Sequence, residues 1–197
     1  MKSIYDFDDI HSHGYPANDS KIVNLDYDEE VCDKGYYSIG IHPWRTADQN
    51  FDAAAAIESV RQKAVKANVI VIGECGIDKL RGANIYLQKD IFESQVEISE
   101  ALKKPLIIHA VKSLNEIIEL RDRLKPKQLW IIHGFRGKKQ MAEQLIRKGI
   151  AISVGEHFNS EVIKSVPDNM LFYESDESEL PINEIINRAK SFRSGSK

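Results

Sequence analysis

The sequence predicts an α/β fold: a (β/α)8 barrel of TIM type, shortened or irregular, with helices missing in the N-terminal third. Three observations predict it. From residue 52 onward, short β-branched runs alternate with helical patterns, as in parallel βαβ units whose strands are covered on both faces. Counting every apolar run gives eight strands, the number that closes such a barrel. The chain has 197 residues, just under the usual minimum of about 200 for that architecture.

The elements follow in order. In the first fifty residues the candidate strands are 5–10, 21–27 and 36–41. Only eight residues separate Tyr27 from Tyr36, whereas a parallel crossover usually takes a dozen or more. The covering helices are expected to be lost there, and either one pair is antiparallel or the barrel is irregular. Residues 52–66 read as a helix with Ile57, Val60 and Ala64 at helical spacing. A strand at 69–73 precedes a helix at 85–104, which Pro105 stops before a strand at 106–108. The helix at 113–124 opens on Ser113 with Glu116 three residues on, a capping box. Then come a strand at 129–132, a helix at 139–148 ended by Gly149, and a strand at 150–154. A short helix at 160–165, a strand at 170–173 and a last helix at 181–191, with Pro181 near its first turn, complete the series. One domain spans 1–192, and the small polar residues 193–197 form a frayed tail.

Composition narrows the function. With 27 Lys+Arg against 30 Asp+Glu the net charge is −3, which excludes a generally basic nucleic-acid coat but leaves room for a local basic rim. No apolar run approaches the ~18–20 residues of a membrane span, and the N-terminus turns acidic at Asp6 without the apolar stretch of a secretory signal. The only two cysteines, Cys32 and Cys75, form no Cys-x-x-Cys, which argues against a disulfide or zinc ribbon and for a reducing cytoplasm. No membrane partner is expected; oligomeric state is open, with a monomer favoured.

Four of the six histidines close an apolar, strand-like run: His11, His42, His109 and His133. His13 follows His11 by two, so both point to the same side of an extended strand. Glu74 and Asp176 occupy the same kind of position after Val69-Ile-Val-Ile-Gly73 and Leu171-Phe-Tyr-Glu174-Ser. In a parallel barrel all strand C-termini open on one face, so these seven residues should converge on one cleft. A single histidine after a strand is most often a loop residue; it is the repetition that points to metal. His157 is read as a loop histidine. The imidazole-rich set without a thiolate pair suits Zn, Mn, Ni or Fe better than Ca, with Mg at weaker affinity, and it exceeds what one tetrahedral ion needs. Two divalent ions bridged by Glu74 are the economical reading. Such pairs acidify a shared water and clamp a phosphoryl or carbonyl centre, with Asp176 as general base.

The motifs resemble the TatD-type DNase family, metal-dependent hydrolases of the amidohydrolase-like barrel superfamily. Asp9-Ile-His11-Ser-His13 is similar to the family's Asp-x-His-x-His, and Gly40-Ile-His42-Pro43 to its Gly-x-His-Pro. Gly73-Glu74-Cys-Gly-Ile-Asp78 resembles Gly-Glu-x-Gly-Leu-Asp, and Gln88, Phe92 and Gln95 match a helical Gln-x-x-x-Phe-x-x-Gln. Pro105 through His109, His133-Gly-Phe135-x-Gly137 and Glu174-Ser-Asp176 complete the series. The resemblance implies His11, His13 and Asp176 on one ion, His109 and His133 on the other, Glu74 bridging, and His42 as a substrate contact. It implies Mg- or Mn-supported hydrolysis of DNA phosphodiesters, often from a 3′ end. The sequence departs from the family in three ways. Glu177-Ser178 replaces the usual Ala-Pro, Lys112 stands three rather than two after His109, and the helices after the first two strands are missing.

Cations follow three of the strand ends: Lys79 and Arg81, then Lys112, then Arg136, Lys138 and Lys139. Lys112 and Arg136 are the expected phosphate contacts, drawing DNA ends, single strands or a small phosphate ester to the cleft. Trp44 and Phe135 in the same loops offer base-stacking surfaces or packing. Two alternatives share these residues: an amidohydrolase or phosphoesterase acting on a small molecule, and a non-catalytic relative that keeps metal.

Overall fold

The computed structural model describes residues 2–14 and 17–194. Eight strands are laid side by side in chain order: β1 (Asp9–Ser12), β2 (Lys21–Asp26), β3 (Tyr36–Gly40), β4 (Val69–Asp78), β5 (Leu106–Val111), β6 (Trp130–Ile132), β7 (Ile150–Val154) and β8 (Leu171–Tyr173). Every neighbouring pair is parallel. Past β8, a single parallel bridge between Ser12 and Asp176 draws the last strand to the first, so the barrel is nearly closed. Among the described residues six α-helices cover it: α1 (Ala53–Ala64), α2 (Ile85–Leu102), α3 (Leu114–Leu124), α4 (Lys139–Arg147), α5 (Ser160–Ser165) and α6 (Ile182–Ser194).

Among the described residues no α-helix covers the links from β1 to β2 and from β2 to β3, as the sequence predicts, and both pairs are parallel. The short link between β2 and β3 crosses as a loop instead. Val31 on that loop is buried, and the loop's carbonyls find donors on α1 and the turn after it. Ser59 and Lys63 donate to the Tyr27 carbonyl, Lys63 also to Glu29, Lys66 to Val31, and Asn68 to Cys32 and Gly35. A loop can cover a sheet edge only when its polar backbone is satisfied in this way.

Other boundaries shift for identifiable reasons. The run expected as a strand at 5–10 begins with a 3-10 turn (Ile4–Asp6), and Ile4 and Phe7 pack among inner-core residues. β4 continues five residues beyond Gly73 because Gly76, at φ +143°, lets it approach β5; a Cβ there would collide with the His109 carbonyl. Ser113 precedes α3 without capping it. Its hydroxyl donates to the Ile77 carbonyl (2.6 Å), and Glu116 pairs with Lys79 instead of closing a capping box. Gly149, at φ +68°, ends α4 as expected. α6 runs through Ser194, past the expected start of the tail; residues 195–197 lie outside those described.

The core has two parts. One fills the space between sheet and helices, with Leu106, Ile108, Trp130 and Ile132 among its members. The other fills the barrel interior, with Ile22, Ile107, Ile131, Ala151 and Phe172. Strand side chains alternate faces. The face that buries Ile107, Ile131, Ala151 and Phe172 therefore presents His109, His133, Ser153 and Glu174 two residues on, toward the C-terminal mouth.

Candidate metal centre

At that mouth a cleft of about 360 Å³ is lined by His13, His42, Glu74, His109, His133 and Asp176, together with Asn24, Asp26, Glu29, Trp44, Arg45 and Glu177. Glu74 is the hub. Its Oε1 lies 2.8 Å from His109 Nδ1, 2.8 Å from His133 Nε2 and 3.2 Å from His42 Nε2. Its Oε2 lies 3.3 Å from His11 Nε2 and 3.7 Å from His13 Nε2. Asp176 Oδ1 is 3.8 Å from His11 Nε2 and 3.6 Å from His13 Nε2. The two oxygens of one carboxylate thus face two separate groups of imidazoles, an arrangement a bridging ligand requires.

The residues fit divalent cations. His11 is fully buried, and neither of its ring nitrogens has a hydrogen-bond partner. A buried polar group left unpaired is costly and calls for an explanation, such as an ion. Side-chain donor atoms of His11, His13 and Asp176 lie within 4.8 Å of one another, as do those of His11, Glu74 and His133 and those of His42, Glu74 and His109. Among the described residues the cleft also gathers five carboxylates (Asp26, Glu29, Glu74, Asp176 and Glu177) with Arg45 as its one permanently charged cation, and Arg45 is already paired with Asp26, Asp28 and Asp48. Without added positive charge such a cluster repels itself.

Electrostatics tells the same story from the protein side. Burial opposes ionisation of Glu74, but the charge of His133, the bond from His109 and the nearby imidazoles of His11 and His13 outweigh it and hold the carboxyl well below its ordinary range. Burial disfavours a charged His133, yet Glu74 on one side and Glu174 on the other hold its proton well above the usual range. The pocket demands a cation, whether a proton or a metal ion.

Supporting residues hold this set in place. Glu174, fully buried, accepts from the Gly134 amide (2.6 Å) and the Ser153 hydroxyl, and lies 3.6 Å from His133 Nδ1. Asp78 Oδ2 lies 3.2 Å from His109 Nε2 and accepts from the Trp44 indole at 2.6 Å. Asn24 Oδ1 accepts from the Glu74 amide (2.7 Å), and Asp9 holds the Ser175 amide and hydroxyl. Gln95 bonds both the amide and the carbonyl of Ile41, and Gln88 bonds the amide and carbonyl of Asp78, so α2 locks the ends of β3 and β4. The sequence reading gave these residues no roles. The period-2 pattern marks Asn24 and Glu174 as inward-facing; nothing in it marks Asp78 as a partner of His109.

Of the expected residues, His11, His13, Glu74, His109, His133 and Asp176 come together. His42, expected as a substrate contact, sits inside the cluster. Lys112 and Arg136 line a neighbouring depression with Phe135 and Met141 that meets the cleft at His133. Phe135 is buried in the core and is packing, whereas Trp44 is exposed. Lys79 is tied to Glu116 and Lys139 pairs with Glu143. His157 is exposed and pairs with Glu156; it borders a separate depression that also reaches Glu174 and Asp176, and it is not among the residues lining the cleft. Both cysteines are free, and among the described residues no helix is long and apolar enough to cross a membrane.

A family model described as TatD related DNase matches residues 12–186. An uncharacterized metal-dependent hydrolase of Buchnera aphidicola subsp. Baizongia pistaciae is 30% identical over 148 residues, covering 71% of this chain and 54% of the relative. A 3′-5′ ssDNA/RNA exonuclease TatD of Musicola paradisiaca is 28% identical over 147 residues, covering 70% and 54%. The chain thus spans about half the length of these curated relatives. The crystal structure of the TatD homolog YjjV of Escherichia coli K12 superposes with a TM-score of 0.71 at 20% identity, covering 87% of this chain and 78% of that one, which shows a shared fold.

Proposed function

Since the chain belongs to the TatD related DNase family, we propose that it is a two-metal hydrolase of phosphodiesters, acting on DNA ends or single strands in the manner of a 3′-5′ exonuclease. The observation that carries this reading is the division of the Glu74 carboxylate between His11 and His13 on one oxygen and His42, His109 and His133 on the other. The names of two relatives, an exonuclease TatD and a deoxyribonuclease Tat-D, support the substrate class.

Paired divalent ions, when bound, acidify water and neutralise charge that builds on phosphate oxygens. His11, His13 and Asp176 would hold one and His109 and His133 the other, with Glu74 between. The chain's own groups do the remainder. Asp176, at the edge of the cluster and partly open to the cleft, takes the proton of the attacking water at its carboxylate. His42, held by its Nδ1 to the Trp44 amide (3.2 Å), turns its Nε2 to the centre and contacts the phosphate. Lys112 and Arg136, in the adjoining depression, attract the rest of the phosphate chain.

A second reading, a phosphoesterase on a small molecule, is favoured by the acidic wall of Asp26, Glu29 and Glu177, which repels a long polyanion on that side. Metal-loaded protein incubated with 3′-labelled single-stranded DNA and with bis-nitrophenyl phosphate separates the two. The nuclease reading expects cleavage of both, abolished in Asp176→Asn; turnover of the ester alone would favour the second.

A further inference from the structure

We infer that Trp44 is a nucleobase platform: its exposed indole face receives the base of the terminal nucleotide, next to the scissile phosphate. The inference rests on the nuclease reading and adds to it the group that recognises a base.

Four observations carry it. Trp44 is 43% exposed although its ring lines the cleft, where a large aromatic side chain without a packing role is unusual. Its ring is fixed rather than loose. The indole N–H donates to Asp78 Oδ2 at 2.6 Å, and Asp78 is itself buried and held by the Leu80 and Arg81 amides. The Arg81 guanidinium lies over the ring 4.2 Å from its centroid, and Arg81 does not line the cleft, so one face is occupied from behind. Finally, the ring lies beside the centre: its centroid is 4.8 Å from that of His42 and 5.9 Å from that of His109. A base stacked on the open face would leave its sugar and phosphate directed at Glu74 and the imidazoles.

The chemistry selects an unpaired base. A π-face stacks on any base without reading its edge. Interior bases of a duplex are stacked on both faces and a paired terminal base is tied to its partner, so a frayed or single-stranded end is the species that fits. Asp78 joins the platform to His109, because the same Oδ2 faces both the indole and the imidazole.

Two measurements test this. The first compares two 5′-labelled oligonucleotides that differ only in a 3′-terminal thymidine or an abasic tetrahydrofuran. The metal-loaded enzyme should release the base-bearing residue with a kcat/KM on the order of 10- to 100-fold higher. That ratio should fall toward one in Trp44→Ala and persist in Trp44→Phe. A ratio near one in the unsubstituted enzyme, or an undiminished ratio in Trp44→Ala, overturns the inference and leaves the nuclease reading standing. The second is fluorescence. The chain has two tryptophans, and Trp130 is fully buried, so saturable quenching reports Trp44. Thymidine 5′-monophosphate with Mg should quench and deoxyribose 5-phosphate should not. Quenching without any oligonucleotide cleavage would refute the nuclease reading and keep the platform; equal responses to the two ligands would refute the platform.

Discussion

The Asp176 amide donates to the His11 carbonyl at 2.9 Å, and the His13 amide returns a bond to the Asp176 carbonyl at 3.2 Å. The seam that closes the barrel is therefore made by three residues of the site. Asp176 pays for this with a left-handed backbone, φ +52°, a conformation that costs a non-glycine residue about 1 kcal/mol and is held here by both strand ends. Closure of the fold and placement of a carboxylate beside two imidazoles are one event.

Asp78 is expected to tune the metal site without touching it. In Asp78→Asn the amide oxygen still accepts from Leu80 and Arg81, but the group facing His109 and Trp44 loses its charge. Affinity for divalent cations should fall about 10- to 100-fold. Competition with a chelating dye measures it; an unchanged affinity would show that His109 needs no such partner.

Gln95 is a structural latch. Its side chain satisfies the Ile41 amide at 2.8 Å and the carbonyl at 3.3 Å in a fully buried setting. Gln95→Leu leaves both unpaired, and the loss of stability should be about 2–5 kcal/mol. Urea unfolding of the metal-free protein reads the change as a lower midpoint at constant slope.

These two cases show what the sequence could reveal and what it could not. Parallel strands ending in His or carboxylate are legible because β-branched runs are local and a barrel opens all its strand ends on one face. The meeting of His11, His13, His42, Glu74, His109, His133 and Asp176 at one mouth followed from that rule, whereas their division into ligands and a substrate contact came from the family resemblance. The loop crossing from β2 to β3 was not legible, since its carbonyls are satisfied by Ser59, Lys63, Lys66 and Asn68, residues far along the chain. The capping box at Ser113 failed for a related reason: Ile77 on the extended β4 and Lys79 just after it offered its two partners better bonds. The place of Lys112 beside His133 rather than within the cleft depends on loop geometry that spacing does not encode.

Asp26 should make stability depend on pH. Burial is the main cause that raises its carboxyl to about 6, with Arg45 and the Tyr27 amide opposing and Asp28 and Glu29 adding to it. The folded state thus holds the proton more tightly than the unfolded chain does. The stability this contributes is fully present below pH ~4, where both states are protonated, and is lost as pH rises through about 6. Relative to Asp26→Asn, the metal-free protein should lose on the order of 2 kcal/mol across that window. Parallel curves for the two proteins, followed by urea unfolding at each pH, would contradict this.

Lys112 and Arg136 should act on polyanions. Lys112→Ala and Arg136→Ala should each raise KM for single-stranded DNA and reduce the slope of log affinity against log salt by about 0.7, the value for one lost phosphate contact on a single strand. Turnover of bis-nitrophenyl phosphate should change less. A salt slope that stays the same in both variants would place the strand elsewhere.

The most direct measurement is the metal content of the purified protein after saturation with Mn or Zn and removal of excess ion, by elemental analysis. Two ions per chain are expected, falling to one or none in the His11→Ala, His13→Ala double variant, whose substituted imidazoles face only one oxygen of Glu74. An ion count that the double variant leaves unchanged would contradict the assignment of His11 and His13 as ligands and, with it, the bridged pair.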